Sequence, residues 1–321
     1  MCLIFHPLYT KSPSIDNQKQ QMKTIILRLK FLLTGFICIF AKNKLYPMSS
    51  TSPNCILVPI DSTEQTVIAL SQTYNLARLT SSKIVLLSVD EVDPPFAQKK
   101  LDELAKEASA KSGQPVETMV RKGNVYEEIN KVADVLNPLF VMIGLSSKIT
   151  LGKIIGKNAF KMVRESKHPV ITIRGKVHRD GCKTILLPLD LTKETREKVN
   201  KAIELAKIFN ADIRVISILT QKDEEAENKL ISYSNQVWKY IKDQEVRCTI
   251  KTLRGSDIPQ MIMDYGHEVE ADLILIMTKA ELSMKEFFIG TVAQRIINES
   301  DIPVLSFRPM ERKDTTVFKP Y

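Results

Sequence analysis

The chain has 321 residues, of which 44% are apolar and 26% charged, and it carries a formal net charge of +9. It is long for one domain and comfortable for two, and its apolar content supports a sizeable core, which excludes disorder over most of the length. The positive excess is concentrated at one end. Seven basic residues against Asp16 give residues 1–46 a charge of +6 and leave the rest with +3, so a basic nucleic-acid face is not expected.

Residues 1–47 are expected to lie outside the fold as a leader. Phe31 to Ala41 is an apolar run preceded by Lys23, Arg28 and Lys30, too short to span a bilayer as a plain helix. A positive flank before a short apolar core outlines a secretory signal or anchor. The run starts late, however, behind the polar stretch Thr10 to Thr24, and no small-x-small cleavage site follows. Met48, seven residues before the first strand, is a natural start. An over-extended leader is therefore preferred to a signal, and no membrane partner is expected.

From Cys55 the chain alternates strand and helix. Cys55–Ile60 is a short apolar run that ends in Asp61, as a buried strand would. Glu64–Leu79 spaces its apolar residues helically. Lys83–Val89 reads as a second strand, Phe96–Ser112 as a charged helix and Val116–Arg121 as a shorter strand. Val125–Leu136 is a helix, Leu139–Ile143 a strand, Lys153–Glu165 a helix and Pro169–Ile173 a last strand. Arg174–Lys183 is polar and reads as a linker, after which the rhythm repeats. The later strands are Thr184–Leu189, Asp212–Ile218, Val246–Leu253, Asp272–Met277 and Pro303–Phe307.

The repetition extends to residues. ILVPID at Ile56–Asp61 returns as ILLPLD at Ile185–Asp190, an offset of 129. Gly123 pairs with Gly255 at 132, Gly156 with Gly290 at 134, and HPVITI with IPVLSF at 134. Four matches in order with a slowly growing offset mark a duplication with small insertions. The expected domains are 48–174 and 183–309, with a tail at 310–321. Strand–helix alternation implies right-handed crossovers, and continuously apolar strands imply a sheet covered on both faces. The fold class is therefore α/β, with two tandem five-stranded, doubly wound, Rossmann-like parallel sheets.

Such sheets bind ligands beyond the carboxyl ends of their strands, where strand order reverses. In the order 3-2-1-4-5 that crevice lies between the first and fourth strands, which brings Asp61 opposite Gly144. Asp61 and its repeat Asp190 each have two readings, as helix N-cap or as acceptor of ligand hydrogen bonds. Small residues beside a helix N-terminus suit phosphate.

Taken together, the VPID and LPLD strand ends, the Gly123 and Gly255 turns, the loop after the fourth strand and the HPV and IPV last strands resemble the universal stress protein family in its tandem form, over Cys55 to Pro309. The resemblance implies an adenine-nucleotide-hydrolase-like fold and adenine nucleotide, such as ATP, as ligand. Its nucleoside contacts would be Asp61 and Val89, or Asp190 and Ile218. It also implies a phosphate loop of pattern G-x-x-G-x9-G-[S/T], from which this chain departs. The first copy reads GLSSKITLGKIIGKN: Gly144 is kept, Ser147 beside Ser146 replaces the second glycine, Gly156 comes one residue early, and Lys157 replaces the small hydroxyl residue. The second reads MTKAELSMKEFFIGT, keeping Gly290 and Thr291 but starting on Met277. The first copy is thus expected to be the better site. The last strands resemble a dimerisation element, which implies an intramolecular pseudo-dimer and permits a homodimer.

Five cysteines (Cys2, Cys38, Cys55, Cys182, Cys248) form no CxxC pair, and four histidines are dispersed. This pattern suits free thiols in the cytoplasm and no metal site. No catalytic set of Ser, His and Asp or of Cys and His assembles. The leading expectation is a non-catalytic stress-response or signalling module with weak adenine-nucleotide binding. The alternatives are a nucleotide-independent interaction module or, less favoured, a nucleotide-hydrolysing enzyme. Trp238, Tyr240 and Tyr233 are expected to pack between halves or subunits.

Overall fold

The computed structural model describes residues 55–61, 63–89, 94–145, 156–177, 179–189, 195–220, 224–278 and 287–309. The first half runs β1 (Cys55–Pro59), α1 (Glu64–Thr80), β2 (Lys83–Val89), α2 (Pro94–Ser112), β3 (Val116–Arg121), α3 (Val125–Leu136), β4 (Phe140–Gly144), α4 (Gly156–Glu165) and β5 (Val170–Ile173). The second half repeats it as β6 (Thr184–Leu189), α5 (Thr195–Phe209), β7 (Asp212–Leu219), α6 (Glu224–Asp243), β8 (Cys248–Arg254), α7 (Ile258–Glu268), β9 (Leu273–Met277), α8 (Phe287–Glu299) and β10 (Val304–Phe307).

Each half forms the five-stranded parallel sheet expected of it, and the two sheets are continuous. The strands form one ten-stranded sheet in the order β3-β2-β1-β4-β5-β10-β9-β6-β7-β8. Each half keeps the parallel order 3-2-1-4-5, and the halves join edge to edge where β5 and β10 run antiparallel, Leu305 opposite Ile171. The physical reason lies in the burial of these strands. Val170–Ile173 and Val304–Phe307 are buried along their whole length, and a free edge there would leave backbone donors and acceptors unpaired away from water.

Alternate residues of each strand feed two cores. Ile56 and Val58 pack with α1, α2, α5 and α6 on one face, while Cys55 and Leu57 pack with α3, α4, α7 and α8 on the other. Both cores run through both halves. Across the seam α1 meets α5 on one face and α4 meets α8 on the other, as a two-fold arrangement requires. The linker is pinned rather than loose. Gln72 Nε2 donates to the carbonyl of Val177 at 2.8 Å, Lys183 N donates to Asp272 Oδ2 at 2.7 Å, and Arg78 pairs with Asp180 at 3.3 Å.

Strand register locates the insertions. Ile84 pairs with Val116 where Ile213 pairs with Cys248, and Ile56 pairs with Phe140 where Ile185 pairs with Leu273. The repeat offset is therefore still 129 at β2 and β7, 132 at β3 and β8, and 133 at β4 and β9. In this register Met277 is the counterpart of Gly144, and Lys198 is the counterpart of Ala69.

The aromatic cluster on α6 belongs to its own half and does not pack between halves. Trp238 Nε1 donates to the carbonyl of Cys248 at 3.2 Å with Lys242 over its ring, and Tyr240 donates to Asn200 Oδ1 at 2.9 Å. Glu224, Glu225 and Glu227 occupy the first turn of α6, where the helix dipole favours negative charge.

Candidate functional site

The carboxyl ends of β1 and β4 meet the first turn of α1, and that turn links the two residues expected to face each other. Asp61 is not the helix N-cap. Thr63 holds that position, and its own side chain makes no capping hydrogen bond. Asp61 sits two residues earlier and organises the turn. Its Oδ1 accepts from Thr63 N at 2.8 Å, from the Thr63 hydroxyl, and from Thr66 Oγ1 at 3.1 Å. Thr66 Oγ1 also lies 3.1 Å from the carbonyl of Asp61. All the described hydrogen bonds to this carboxylate go to Oδ1, and a carboxylate offers about four lone-pair positions.

Gly144, the last residue of β4, approaches the same turn from the other side. A Cβ there would lie 2.2 Å from the carbonyl oxygen of Gln65 and 2.7 Å from Thr66 N. Backbone thus packs against backbone, and any side chain would push α1 away. One turn of helix separates Asp61 from Gly144, so the crevice between β1 and β4 is narrow at this depth. On that turn lies Gln65, which no sequence motif singles out. Gln65 is 6% exposed and its Oε1 has no hydrogen-bond partner among the described residues. A buried amide oxygen without a donor is costly.

Val89 ends β2 beside β1, where Ile60 N donates to the carbonyl of Leu87 at 2.8 Å. Val89 is half-buried and packs on the core of the α3 and α4 face. Gly123 follows β3 with φ +136°, a conformation that favours glycine, and precedes Asn124, which caps α3 by accepting from Tyr126 N at 3.1 Å and Glu127 N at 3.4 Å. Gly123 is thus a turn residue, and its repeat Gly255 is pressed by Met261.

Several expected residues fall beyond these limits. Ser146, Ser147 and Asp190 lie outside the described residues. Gly156 opens α4 and Gly290 lies in α8. Lys157 and Thr291 share those helices, but their side chains lie outside the described residues. The phosphate loops are therefore not part of the described geometry.

In the second half the same switch point holds a cavity of about 750 Å³. It opens at the ends of β6, β7 and β9. Leu189, Ile218, Leu230, Ile262, Met277 and Ile296 wall it, together with Lys198, Asp257 and Arg295. Ile218, expected as a nucleoside contact, does line this space. Asp257 is occupied, since its Oδ1 accepts from Gln260 N at 3.3 Å while capping α7 and lies 2.8 Å from Arg295 Nη1. The buried lysine was legible only through the repeat, as a charged residue opposite Ala69.

Cys55, Cys182 and Cys248 are free thiols. Burial pushes all three up, Cys248 to about 12. Among the described residues no group of three or more His, Cys, Asp or Glu is placed to hold a metal ion, and no helix is long and apolar enough to cross a membrane.

The profile described as the universal stress protein family matches residues 54–174 and again 181–308. A universal stress protein of Staphylococcus saprophyticus is 25% identical over 142 residues, which is 40% of this chain and 85% of that protein. One from Methanocaldococcus jannaschii is 25% identical over 137 residues, 38% of this chain and 80% of its own. Among solved structures, a universal stress protein from Archaeoglobus fulgidus superposes with a TM-score of 0.64 at 18% identity, covering 81% of this chain and 98% of that one. A Pseudomonas aeruginosa structure of the same description gives 0.64 at 20%, covering 80% and 93%. At these identities the structural matches speak for the fold.

Proposed function

The chain belongs to the universal stress protein family, with two family domains in tandem, and from that premise we propose that it is a non-catalytic cytoplasmic sensing module whose first half holds an adenine nucleotide weakly. The observation that supports this most is the acceptor pair on the first turn of α1. Asp61 is held rigid through Oδ1, and Gln65 carries a buried amide oxygen that lacks a donor among the described residues. Ribose hydroxyls and an adenine amine supply such donors. A rigid carboxylate gives up little conformational freedom on binding, which favours affinity. The close approach of Gly144 to this turn keeps the strand end bare of side chain, as a nearby phosphate would need. Val89 would flank the nucleoside from β2. Gly144, Ser146, Ser147 and Gly156 would line the phosphates, with Lys157 as a point charge.

The free thiols support a reducing compartment. Asp61, the acid that the described residues place at the first-half switch point, already organises a helix start, which is a poor posture for a general base.

The experiment is direct. The purified chain is heat-denatured and the released nucleotide is separated by chromatography, then the native protein is incubated with ATP. Retained adenine nucleotide with no sustained ADP production is the expected result. Absence of any bound or titratable nucleotide removes the proposal. Turnover abolished by Asp61→Ala converts the module into an enzyme.

A further inference from the structure

Joining the halves at β5 and β10 leaves β3 and β8 as the outer edges of the sheet. In a parallel pair, alternate residues turn both backbone groups toward the same neighbour. Ile84 N donates to the carbonyl of Pro115, and Ile213 N to that of Arg247, both at 2.9 Å. On β3, Glu117, Met119 and Arg121 therefore face β2, while Val116, Thr118 and Val120 turn their N–H and C=O groups outward. On β8 the outward residues are Cys248, Ile250, Thr252 and Arg254.

The two edges have diverged. On β8 the outward carbonyl of Cys248 is taken by Trp238 Nε1 at 3.2 Å, and the strand carries Lys251 and Arg254 with no acid. A blocked acceptor and charges of one sign work against strand pairing. β3 has neither. Among the described residues no hydrogen bond reaches the outward backbone groups of Val116, Thr118 or Val120. The Thr118 hydroxyl is tied to α2, accepting from Gln98 Nε2 at 2.8 Å and donating to Asp102 Oδ1 at 3.0 Å. The strand carries one acid and one base, Glu117 and Arg121, both exposed. Glu117 accepts from Lys83 Nζ at 2.8 Å, and Arg121 has no ion pair among the described residues.

We propose that β3 docks a second copy of this chain, which adds its own β3 antiparallel. Thr118 pairs with the partner's Val120 and Val120 with the partner's Thr118, exchanging their outward backbone hydrogen bonds. This register sets Glu117 opposite the partner's Arg121 on both sides of the two-fold axis, with Met119 opposite its own copy. Only alternate residues face outward, so the register can slip only in steps of two. One step either way sets Met119 against a charge. Two steps set Glu117 or Arg121 against its own copy, and like charges directly opposite are destabilising. The charge pattern of β3 is therefore complementary to itself in one register. The contact is isologous and closes at a dimer. It is one strand wide, which places the dimer in the weak, concentration-dependent class. It uses no residue of the nucleotide site proposed for the first half.

The test is sedimentation of the full chain over a wide range of concentration. The wild type should pass from monomer to dimer and stop there. Arg121→Glu should weaken the dimer by roughly tenfold, since two attractive pairs become two repulsive ones, and adding Glu117→Arg should restore it. Val120→Pro removes an outward N–H at an edge position where proline is tolerated, and should keep the chain monomeric at matched thermal stability. Thr252→Pro makes the same change on β8 and should leave the dimer intact. If Val120→Pro fails to fold, the charge exchange carries the test alone. A wild type that stays monomeric at every concentration overturns the proposal, even where its β3 edge takes up an extended peptide instead. So does growth into open-ended polymers, a dimer indifferent to Arg121→Glu, or one that the double exchange does not restore.

Discussion

Thr172 and Ser306, 134 residues apart, donate their hydroxyls into each other's strands, Thr172 Oγ1 toward the carbonyl of Val304 at 3.4 Å and Ser306 Oγ toward that of Val170 at 3.3 Å. All four residues are buried. The donors and acceptors exchange under the repeat, so a duplicated sequence has become a symmetric pair. The seam consumes the β5 and β10 edges, which removes them from pairing with a second chain.

The seam should unfold with the rest of the sheet. Thr172→Val keeps the shape and deletes the hydroxyl, with an expected cost of about 0.5–1.5 kcal/mol. Adding Ser306→Ala should roughly double it, apart from coupling between the neighbours. Val304→Pro removes a ladder donor opposite Thr172 and should cost more than either hydroxyl deletion. Urea unfolding of the three variants reads the order directly.

Gly144 and Gly123 should respond differently to alanine. At Gly144 the added Cβ meets the carbonyl oxygen of Gln65 at 2.2 Å, so α1 must shift, at a cost of about 1–3 kcal/mol, with Asp61 displaced as well. At Gly123 the neighbour is the flexible Glu128 side chain at 3.2 Å, and the cost is mainly the positive φ, about 1 kcal/mol. Thermal unfolding should separate them. A larger substitution at Gly144 therefore tests folding before it tests ligand binding.

Cys248 should alkylate slowly. Burial pushes its thiol up to about 12, so the thiolate fraction at neutral pH falls roughly 10³-fold below that of a free cysteine. Timed iodoacetamide labelling of the native chain, read by mass spectrometry on the peptide that follows Arg247, should give protection that disappears in denaturant.

Asp134 accepts from Lys167 Nζ at 2.7 Å and pairs with His168 Nε2 at 3.2 Å. The hydrogen bond from Lys167 holds its carboxyl below the usual value, and His168 adds to this. The depressed carboxyl contributes stability above the unfolded-state pKa of about 3.9, and that contribution is lost as pH falls through the lower folded value. At 43% exposure of the side chain the contribution should stay under about 1 kcal/mol. Asp134→Asn should accordingly flatten the acid limb of the stability profile, by lowering stability at neutral pH by under about 1 kcal/mol and leaving the most acidic end unchanged.

The fold was largely legible because two periodic signals agreed, strand–helix alternation and a drifting repeat. Strand ends moved by a residue or two, as at Phe140–Gly144, where the sequence placed Gly144 just past the strand. The joining of the sheets was legible through the family resemblance of the last strands and not through their residues. A buried edge strand and a buried internal strand look alike in sequence, and only pairing tells them apart. The site was legible in position but not in detail. Asp61 could be placed at a strand end, yet its hydrogen bonds depend on Thr63 and Thr66, which read as ordinary helix-start residues. Gln65 gave no signal, since an isolated glutamine in an amphipathic helix reads as surface. Lys198 could have been flagged earlier by aligning the two copies residue by residue.

The central claim is that the first-half switch point, organised by Asp61, holds adenine nucleotide. Asp61→Asn keeps an Oδ1 acceptor for Thr63 N and should preserve the turn while removing the charge. Calorimetric titration with ATP should show one saturable site in the wild type and at least tenfold weaker binding in the variant, at matched thermal stability. Equal affinity in the two proteins, or no binding in the wild type, would contradict it.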